Sequence, residues 1–314
     1  MTVVVVGSIN IDLTMYLDRW PGIGETLTAR DSAVSLGGKG ANQCVAATRL
    51  GAQTAMLGAI GDDSYGREAV AALQRAHITL GLKTVTESAT GMACIDVGPE
   101  GDNMIRLAAG ANATLSSADV REQAALFKDA RVVLLQNETP LNAALEAARL
   151  GREAGACVIM DPAPVPVPVW ETSVFAAFDI LTPNAAEAEH ILQTPLRSTQ
   201  AALTGARALA AFARRGAILT MGGAGVAWCV DGSTGYLPAA AVKVVDTVAA
   251  GDCFNGALAS GLAQGWDVAT AIGFAVRAAA LSASRKGAQI SLPSRAEVEA
   301  FGTVALASEN NSTV

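Results

Sequence analysis

The run Arg131-Val132-Val133-Leu134-Leu135-Gln136 is short and apolar and ends in turn residues. The Ala- and Leu-rich segment Leu141–Ala154 follows it with a helical period, and then comes a second apolar run, Cys157-Val158-Ile159-Met160-Asp161. Continuous apolar runs of this length are typical of parallel strands that are covered on both faces. The stretch therefore predicts a strand–helix–strand unit with a right-handed crossover.

The same alternation recurs along the chain and predicts an α/β protein, a three-layer α/β/α sandwich around a mostly parallel sheet. The other predicted strands are Val3–Gly7, Gln53–Ile60, Ile180–Thr182, Ala217–Met221 and Val226–Val230. The other predicted helices are Ala41–Leu50, Ser64–Ala76, Ala185–Leu192, Thr199–Arg214, Asp252–Ala263 and Val268–Ser284.

Two regions interrupt this alternation with short strand-like stretches and no helix between them, namely Leu13–Leu36 and Thr90–Leu107. We expect them to pair into one small sheet, a discontinuous β lid (13–36 and 90–107) within a single domain of residues 1–300. The alternative is two unrelated surface hairpins. Residues 303–314 carry little that could be buried, and we expect a frayed tail there.

Composition excludes several classes of protein. Acidic residues outnumber basic ones by 29 to 22, giving a net charge of −7, and no basic stripe suggests a nucleic-acid partner. The five cysteines form no CxxC pair, and only two histidines are present, which disfavours zinc sites and Ser-His-Asp chemistry. No basic n-region precedes Val3, and no apolar stretch approaches the roughly 20 residues that span a bilayer. We expect a soluble cytoplasmic protein without a membrane partner.

The run Asp246-Thr247-Val248-Ala249-Ala250-Gly251-Asp252 leads from the strand-like Val242–Val245 into a strongly helical segment. Its small side chains let a ligand approach the backbone, and the free N–H groups at the start of a helix bind anions. Asp252 itself is open to two interpretations. It is either a helix N-cap, for which Asp is a favoured residue, or a catalytic carboxylate.

A second glycine-rich segment, Leu36–Gln43, also opens into a helix. It is not a Walker A loop, because Gly40 follows Lys39 where that motif has Ser or Thr. Nor does Val3–Gly7 continue into GxGxxG, so a dinucleotide fold is poorly supported. The polar residues Asn10, Asp12, Lys39 and Asn42 follow predicted strand ends, where open α/β sheets bind ligands, although each could singly be a turn residue or cap.

A third segment, Thr182-Pro183-Asn184-Ala185-Ala186-Glu187, follows a short strand and begins a helix. The spacing of Asn184 and Glu187 fits a plain capping box. Glu187-x-x-His190 resembles half of a carboxylate-bridged metal motif, but a single copy does not make such a site.

Taken together, these segments resemble the ribokinase-like (PfkB) carbohydrate kinase family from about Val3 to Pro293. The motifs, in chain order, are G-S-I-N-I-D (Gly7–Asp12), P-G-I-G-E-T (Pro21–Thr26), G-G-K-G-A-N-Q (Gly37–Gln43), G-D-D-x-x-G (Gly61–Gly66), T-P-N-x-x-E (Thr182–Glu187), D-T-x-A-A-G-D (Asp246–Asp252) and R-K-G-A-Q (Arg285–Gln289). Each motif is weak by itself, and the ordered set is specific.

The resemblance implies ATP-dependent phosphorylation of a sugar's terminal hydroxyl, with D-ribose as the expected substrate. Asp252 is then the base, and the backbone N–H groups of Ala249, Ala250 and Gly251 form the anion hole. The residues implied to hold the sugar are Asn10, Asp12, Gly38, Lys39, Asn42 and Glu138. The alternatives are another sugar or a nucleoside (deoxyribose, fructose or another pentose), or a catalytically silent sugar-binding protein.

Three cofactors are implied in the same way, namely ATP, Mg²⁺ and K⁺. Asn184 and Glu187 would organise water around Mg²⁺ and the phosphates. The residues implied to line the nucleotide site are Thr220, Gly222 and Gly225. The residues implied to form the K⁺ site are Asp246, Val248, Ser282, Arg285, Gly287 and Ser291. The family also implies a homodimer whose lid strands clasp each other.

Overall fold

The computed structural model describes residues 2–100 and 102–302 and is built around a nine-stranded sheet. Its strands, in chain order, are β1 (Thr2–Val6), β4 (Gln53–Gly61), β5 (Thr79–Val85), β8 (Ala130–Gln136), β9 (Cys157–Asp161), β10 (Ile180–Leu181), β11 (Gly216–Thr220), β12 (Val226–Val230) and β13 (Ser233–Leu237). They lie in the order β13-β12-β11-β10-β9-β8-β1-β4-β5. All neighbours from β5 to β11 pair in parallel, and β12 pairs antiparallel with both β11 and β13.

Helices cover both faces of this sheet, which confirms the predicted three-layer α/β/α sandwich. One face carries α1 (Lys39–Arg49), α2 (Ser64–Arg75), α8 (Ala250–Ala263), α9 (Val268–Ala283) and α10 (Arg295–Ala300). The other carries α3 (Ser117–Glu122), α4 (Leu141–Glu153), α5 (Thr172–Phe175), α6 (Ala185–Leu192) and α7 (Thr199–Ala210). Short 3₁₀ turns lie at Gly110–Thr114, Ala124–Phe127, Gly222–Ala224 and Gln289–Ser291.

The valine run of β1 shows why the central strands are apolar throughout. Val3 and Val5 face the helices on one side, whereas Val4 and Val6 face the other side, and all four are buried. A strand with helices on both faces has no solvent side, so alternation of apolar and polar residues is lost.

Helices α1 and α8 approach each other closely at Gly256. A Cβ atom on Gly256 would lie 2.7 Å from the carbonyl oxygen of Gln43 and 2.6 Å from the Cβ of Ala46. Ser260, one turn further along α8, donates a hydrogen bond to the carbonyl oxygen of Leu50. This contact brings the first turns of the two helices together. Those turns contain Lys39, Asn42 and Asp252, for which the sequence predicted a role.

A second, four-stranded sheet stands beside the first, as predicted for the two interrupting regions. Its strands are β2 (Asn10–Tyr16), β3 (Asp31–Gly37), β6 (Gly91–Val97) and β7 (Asn103–Ala108), in the order β3-β2-β6-β7. Strand β2 pairs antiparallel with β3 and parallel with β6. The long-range β2–β6 pairing joins the two regions into one sheet, so the alternative of unrelated hairpins is wrong.

Some predicted boundaries are wrong. The helix expected over Thr199–Arg214 ends at Ala210, because Arg214 and Arg215 donate their N–H groups to Phe178 and Asp179. Val242–Val245 is no strand; Val245 instead donates to the carbonyl oxygen of Ala283 at the end of α9. The predicted frayed tail, 303–314, lies outside the described residues. Within the ranges described, the model has no helix both long and apolar enough to cross a membrane.

Candidate active site

Several polar residues lie at the edge of the large sheet that is formed by the carboxyl ends of its parallel strands. Ser8 follows β1, Gln136 ends β8 and Asp161 ends β9, and the N-termini of α1 and α8 open at the same edge. Ligands bind at this edge in open α/β sheets, because the loops and helix N-termini collect there.

Asp252 lies in the first turn of α8 but does not cap it. The N-cap is Ala249, in a left-handed conformation with φ of 60°, and no side chain caps the helix. The buried carboxylate of Asp252 instead accepts hydrogen bonds from Nδ2 of Asn42 (3.0 Å) and Nε2 of Gln43 (3.2 Å). The helix-cap interpretation of Asp252 is therefore wrong, and the side chain is held for another purpose.

The start of α8 offers backbone N–H groups in open space. Gly251 is exposed, and a Cβ there would meet no atom within 4 Å. Ala250 donates its N–H to the carbonyl oxygen of Thr247 at 3.2 Å. In the described part of the chain, no acceptor lies within hydrogen-bond distance of the N–H groups of Ala249 and Gly251. Two of the three N–H groups expected in the anion hole are thus available in this conformation.

Asn10 and Asp12 project from the same face of β2, since they are two residues apart on one strand. Asn112 fixes Asn10 by donating to its Oδ1 at 2.8 Å, which leaves the Asn10 amide nitrogen for a ligand. Asn112 also accepts from the N–H of Ile9 and donates to its carbonyl oxygen. No sequence signal pointed to Asn112, which lies about a hundred residues further along the chain.

The carboxylate of Asp12 is buried and accepts no hydrogen bond from any residue that the structure describes. Burial, together with the negative charges of Glu138 and Asp252, raises the pKa of Asp12 to about 7. A carboxyl group without protein donors can instead bond to a ligand's hydroxyl groups.

Gly38 and Lys39 join β3 to α1. Gly38 has φ of 87°, and a Cβ there would lie 2.8 Å from the backbone nitrogen of Asn10, so only glycine fits. The N–H of Lys39 and the hydroxyl of Ser8 both donate to one carboxylate oxygen of Glu138, at 3.2 and 2.5 Å. Glu138 is thereby tied to both loops at the edge of the sheet.

The Lys39 ammonium group is surrounded by carboxylates. Burial by itself lowers the pKa of Lys39, but negative charges raise it well above its usual range. The four carboxylates responsible are those of Asp252, Asp161, Glu138 and Glu187. Lys39 therefore stays protonated and offsets the negative charge of these four carboxylates.

A cavity of about 320 Å³ opens beside these residues. Its lining includes Asn10, Leu107, Asn112, Glu138 and Pro164. The volume lies at the lower end of the range for small-molecule sites, and an apolar wall with a few convergent polar groups is typical of them.

Asn184 and Glu187, at the start of α6, form the capping box that their spacing predicted. Oδ1 of Asn184 accepts from the N–H of Glu187 at 2.9 Å, and Oε2 of Glu187 accepts from the N–H of Asn184 at 2.8 Å. Glu187 also interacts electrostatically with Lys39 and Asp252, and burial raises its pKa. The carboxylate therefore both caps its helix and contributes negative charge to the cleft.

Thr220, Gly222 and Gly225 lie together at the end of β11. Thr220 bridges to Asn184, and its N–H donates to the carbonyl oxygen of Pro183. Gly225 has φ of 93°, and a Cβ there would lie 2.2 Å from the carbonyl oxygen of Leu237. Gly222 has φ of 53° and open space around it. The loop is shaped mainly by its backbone, and the hydroxyl of Tyr236 donates a hydrogen bond to the carbonyl oxygen of Ala224 at 2.7 Å.

The residues expected around K⁺ fall into two groups. The carboxylate of Asp246 accepts from the N–H groups of Val248 (3.0 Å) and Gly287 (2.9 Å). The hydroxyls of Ser282 and Ser291 are buried and hydrogen-bonded to each other. The guanidinium of Arg285 pairs with Glu297. Because a guanidinium is itself positively charged and has no acceptor, only the backbone carbonyl of Arg285 could bind a cation.

Sequence reasoning missed a buried network behind Asp252, made of Gln43, Gln136 and Asp161, and the half-buried Gln289 beside it. Gln43 ends one of the quoted motifs, but no role was predicted for it. The amide of Gln289 donates to Oδ1 of Asn42 at 3.1 Å. Burial and neighbouring carboxylates raise the pKa of Asp161 to about 8, although Lys39 opposes them.

Comparison with known proteins agrees with this geometry. Residues 1–295 match the model of the pfkB family carbohydrate kinases. A ribokinase of Haemophilus influenzae is 37% identical over 304 residues, covering 96% of this chain and 98% of that protein. A deoxyribokinase of Salmonella typhi is 34% identical over 295 residues, covering 94% and 96%. The structure of Arabidopsis thaliana ribokinase complexed with ribose and ATP superposes with a TM-score of 0.84 at 29% identity, covering 95% and 97%. This chain belongs to the pfkB family of carbohydrate kinases.

Proposed function

We propose that this chain transfers the γ-phosphoryl group of ATP to the terminal hydroxyl of D-ribose, forming D-ribose 5-phosphate and ADP. The observation that carries the proposal is the carboxylate of Asp252, held by Asn42 and Gln43 at the N-terminus of α8. Asp252 accepts the hydroxyl proton as the ribose oxygen bonds to phosphorus and the bond to the β-phosphate oxygen breaks. The free N–H groups at the start of α8 stabilise the charge on the migrating group.

The sugar is held by Asn10, Asp12, Lys39, Asn42 and Glu138, with Gly38 allowing the close approach of their loops. A ribose hydroxyl can donate a hydrogen bond to a carboxylate or an amide oxygen, and it can accept one from an amide or ammonium N–H. The lack of a protein donor for the Asp12 carboxylate within the described ranges supports its role as an acceptor for two hydroxyls.

The nucleotide lies along the loop that contains Thr220, Gly222 and Gly225. The open space at Gly222 and the exposed backbone there support an adenosine group lying against the main chain. Mg²⁺ neutralises the phosphates when bound. Asn184 and Glu187 would hold water ligands of the ion, which fits the tendency of Mg²⁺ to keep several of its waters in nucleotide sites.

A K⁺ ion beside the anion hole is the third cofactor in the proposal. Hard cations take oxygen ligands, and the carboxylate of Asp246 and the carbonyl of Val248 supply them next to the loop 282–291. Both oxygens of Asp246 already accept N–H bonds, so backbone carbonyls must complete the site.

The small sheet acts as a lid that excludes water during transfer, and through it two copies of the chain form a homodimer. Met15, Val34 and Met104 support this part of the proposal, because they share one face of the sheet and are 44, 61 and 52% exposed. Val34→Asp should shift the protein to monomer in sedimentation analysis, and an unchanged assembly would contradict a dimer through this face. Cytoplasmic localisation stays a prediction.

ADP formation measured with a panel of sugars and nucleosides tests the activity. We expect the highest kcat/KM for ribose and little activity for Asp252→Asn. The second candidate substrate is deoxyribose, favoured by the 34% identity with a deoxyribokinase. A higher kcat/KM for deoxyribose than for ribose would select it, and sugar binding in calorimetry without ADP formation would indicate a silent binding protein.

A further inference from the structure

The side chain of Gln43 lies fully buried between two carboxylates that belong to different parts of the fold. Its amide nitrogen donates to Oδ1 of Asp252 at 3.2 Å and to Oδ2 of Asp161 at 2.9 Å. Gln43 is in the first half of α1, Asp161 ends β9 and Asp252 is in the first turn of α8. One amide group thus links three elements behind the cleft.

The orientation of this amide is determined by a third buried residue. Nε2 of Gln136 donates to Oε1 of Gln43 at 2.7 Å. If the amide of Gln43 were rotated by 180°, its oxygen would face two carboxylates and its nitrogen would face a donor, so three hydrogen bonds would be lost. The side chain of Gln136 lies against Gly7, where a Cβ would approach its Oε1 to 1.9 Å, so only glycine leaves room for it.

The two oxygens of Asp252 are consequently held from two sides. Asn42 donates to Oδ2 and Gln43 to Oδ1, which fixes the plane of the carboxylate. Asn42 is next to the cleft, whereas Gln43 has no exposed surface and cannot reach a sugar. Gln43 therefore acts on the reaction only through Asp252.

We propose that Gln43 is a positioning residue that aims the base Asp252, with Asp161 as the anchor that keeps Gln43 in place. The inference rests on the proposed kinase activity. An amide that donates one hydrogen to each of two buried carboxyl groups holds both of them in a defined geometry. A base displaced by an ångström loses alignment with the hydroxyl it deprotonates, while sugar binding is retained.

The primary test is Gln43→Met, which keeps the length of the side chain and removes both donors. We expect kcat with ribose and ATP to fall about 10- to 100-fold, which is the size of effect that a misplacement of about 1 Å produces. We expect KM for ribose to change less than about twofold, because the residues that contact the sugar are unchanged. Gln74→Met, an exposed glutamine in α2, is the matched control and should leave both constants unchanged. Melting temperature and calorimetric ribose binding report whether each variant is folded.

A second pair of variants tests the anchor. Asp161→Leu removes the acceptor for Gln43, whereas Asp161→Asn retains a carbonyl oxygen in the same place. We expect kcat to be at least about threefold higher for Asp161→Asn than for Asp161→Leu, since only the former restores the hydrogen bond. If Gln43→Met does not fold, Gln43→Asn replaces it, because an amide one methylene shorter cannot reach both carboxylates.

An unchanged kcat in a folded Gln43 variant, or a KM that rises as much as kcat falls, overturns the positioning role. Equal kcat values for the two Asp161 variants overturn the anchor. Failure of the proposed function looks different: the wild-type protein itself then forms no ADP with any sugar.

Discussion

The proposed active-site cleft has one side that would bind the sugar and another that would bind the nucleotide, and the two sides are built by different means. On the sugar side, Asn10, Asn42 and Asp252 are buried, and each is bonded through its side chain to a residue distant in sequence; Asn42 and Asp252 are 210 positions apart. On the side proposed to bind the nucleotide, Gly222, Gly223 and Ala224 are exposed, and the loop is held through its main chain. The N–H of Met221 donates to the carbonyl oxygen of Gly225, and the hydroxyl of Tyr236 donates to the carbonyl oxygen of Ala224.

This difference indicates how each side recognises its ligand. Buried, mutually bonded side chains cost free energy when one partner is lost, so they specify one arrangement of hydroxyl groups. A loop shaped by glycine conformation recognises a ligand through its main chain, and it tolerates side-chain changes at exposed positions. On the sugar side, substitutions that change the chemical group should therefore affect activity most. On the nucleotide side, substitutions that change the backbone conformation should affect it most.

The largest expected effect is on the sugar side. Asp252→Asn keeps the shape of the side chain and removes the base, so we expect kcat to fall about 10³-fold, within the range for loss of a general base. Steady-state kinetics measure this, with calorimetry to establish that ribose still binds. Asp129→Asn on the exposed surface is the matched control. Retained activity of Asp252→Asn would remove Asp252 from the catalytic role.

The nucleotide side is tested by two glycines of one loop. Gly225→Ala places a Cβ 2.2 Å from the carbonyl oxygen of Leu237 at φ of 93°, whereas Gly223→Ala meets nothing within 4 Å. We expect KM for ATP to rise about tenfold in Gly225→Ala, equivalent to roughly 1.4 kcal/mol of binding, with KM for ribose unchanged. Equal behaviour of the two variants would contradict recognition through backbone shape.

The proposed cation site joins the two sides, since Asp246 precedes the proposed anion hole and accepts a hydrogen bond from Gly287 in the loop 282–291. Replacing K⁺ by Na⁺ should lower kcat several-fold, because the ion's coordination organises the loop before α8. Asp246→Asn should reduce the difference between the two salts. Activity assays in matched chloride salts measure it, and indifference of the wild-type enzyme to the cation would count against the site.

A separate effect, on stability and not on activity, concerns the buried carboxyl of Asp161. Burial raises the pKa of Asp161 to about 8, so the folded state binds this proton more tightly than the unfolded chain does. The resulting stability is present at low pH and is lost as pH rises through about 8. We expect the free energy of unfolding to increase by about 2 kcal/mol from pH 8 to pH 6 on this account.

Asp161→Asn should remove the share of the pH dependence that is due to Asp161 and leave the share due to Asp12, whose pKa is also raised, to about 7. Urea unfolding at the two pH values measures the difference. Asp129→Asn again serves as control, because its side chain is exposed. The same pH dependence in Asp161→Asn as in the wild-type protein would show that another group is responsible.

The sequence by itself determined the fold class and the location of the site. Apolar strands alternating with amphipathic helices permit few arrangements other than a covered parallel sheet, so strands such as Cys157–Asp161 were predicted to the residue. Strand β5, strand β13 and helices α3, α5 and α10 were not foreseen, because they are short or half-exposed and their patterns are weak. Local signals also identified Gly38, whose left-handed conformation requires glycine.

Only the tertiary structure decided what Asp252 does. In its local sequence, an Asp at the start of a helix is an ordinary cap. The carboxylate of Asp252 reaches Asn42 and Gln43 only because α1 packs closely on α8 at Gly256. Likewise, Asn112, Gln136 and Asp161 have no sequence signature, because their roles depend on contacts between segments far apart in the chain. Hydrogen bonds across such distances exist only after folding, so a pattern along the chain cannot contain them.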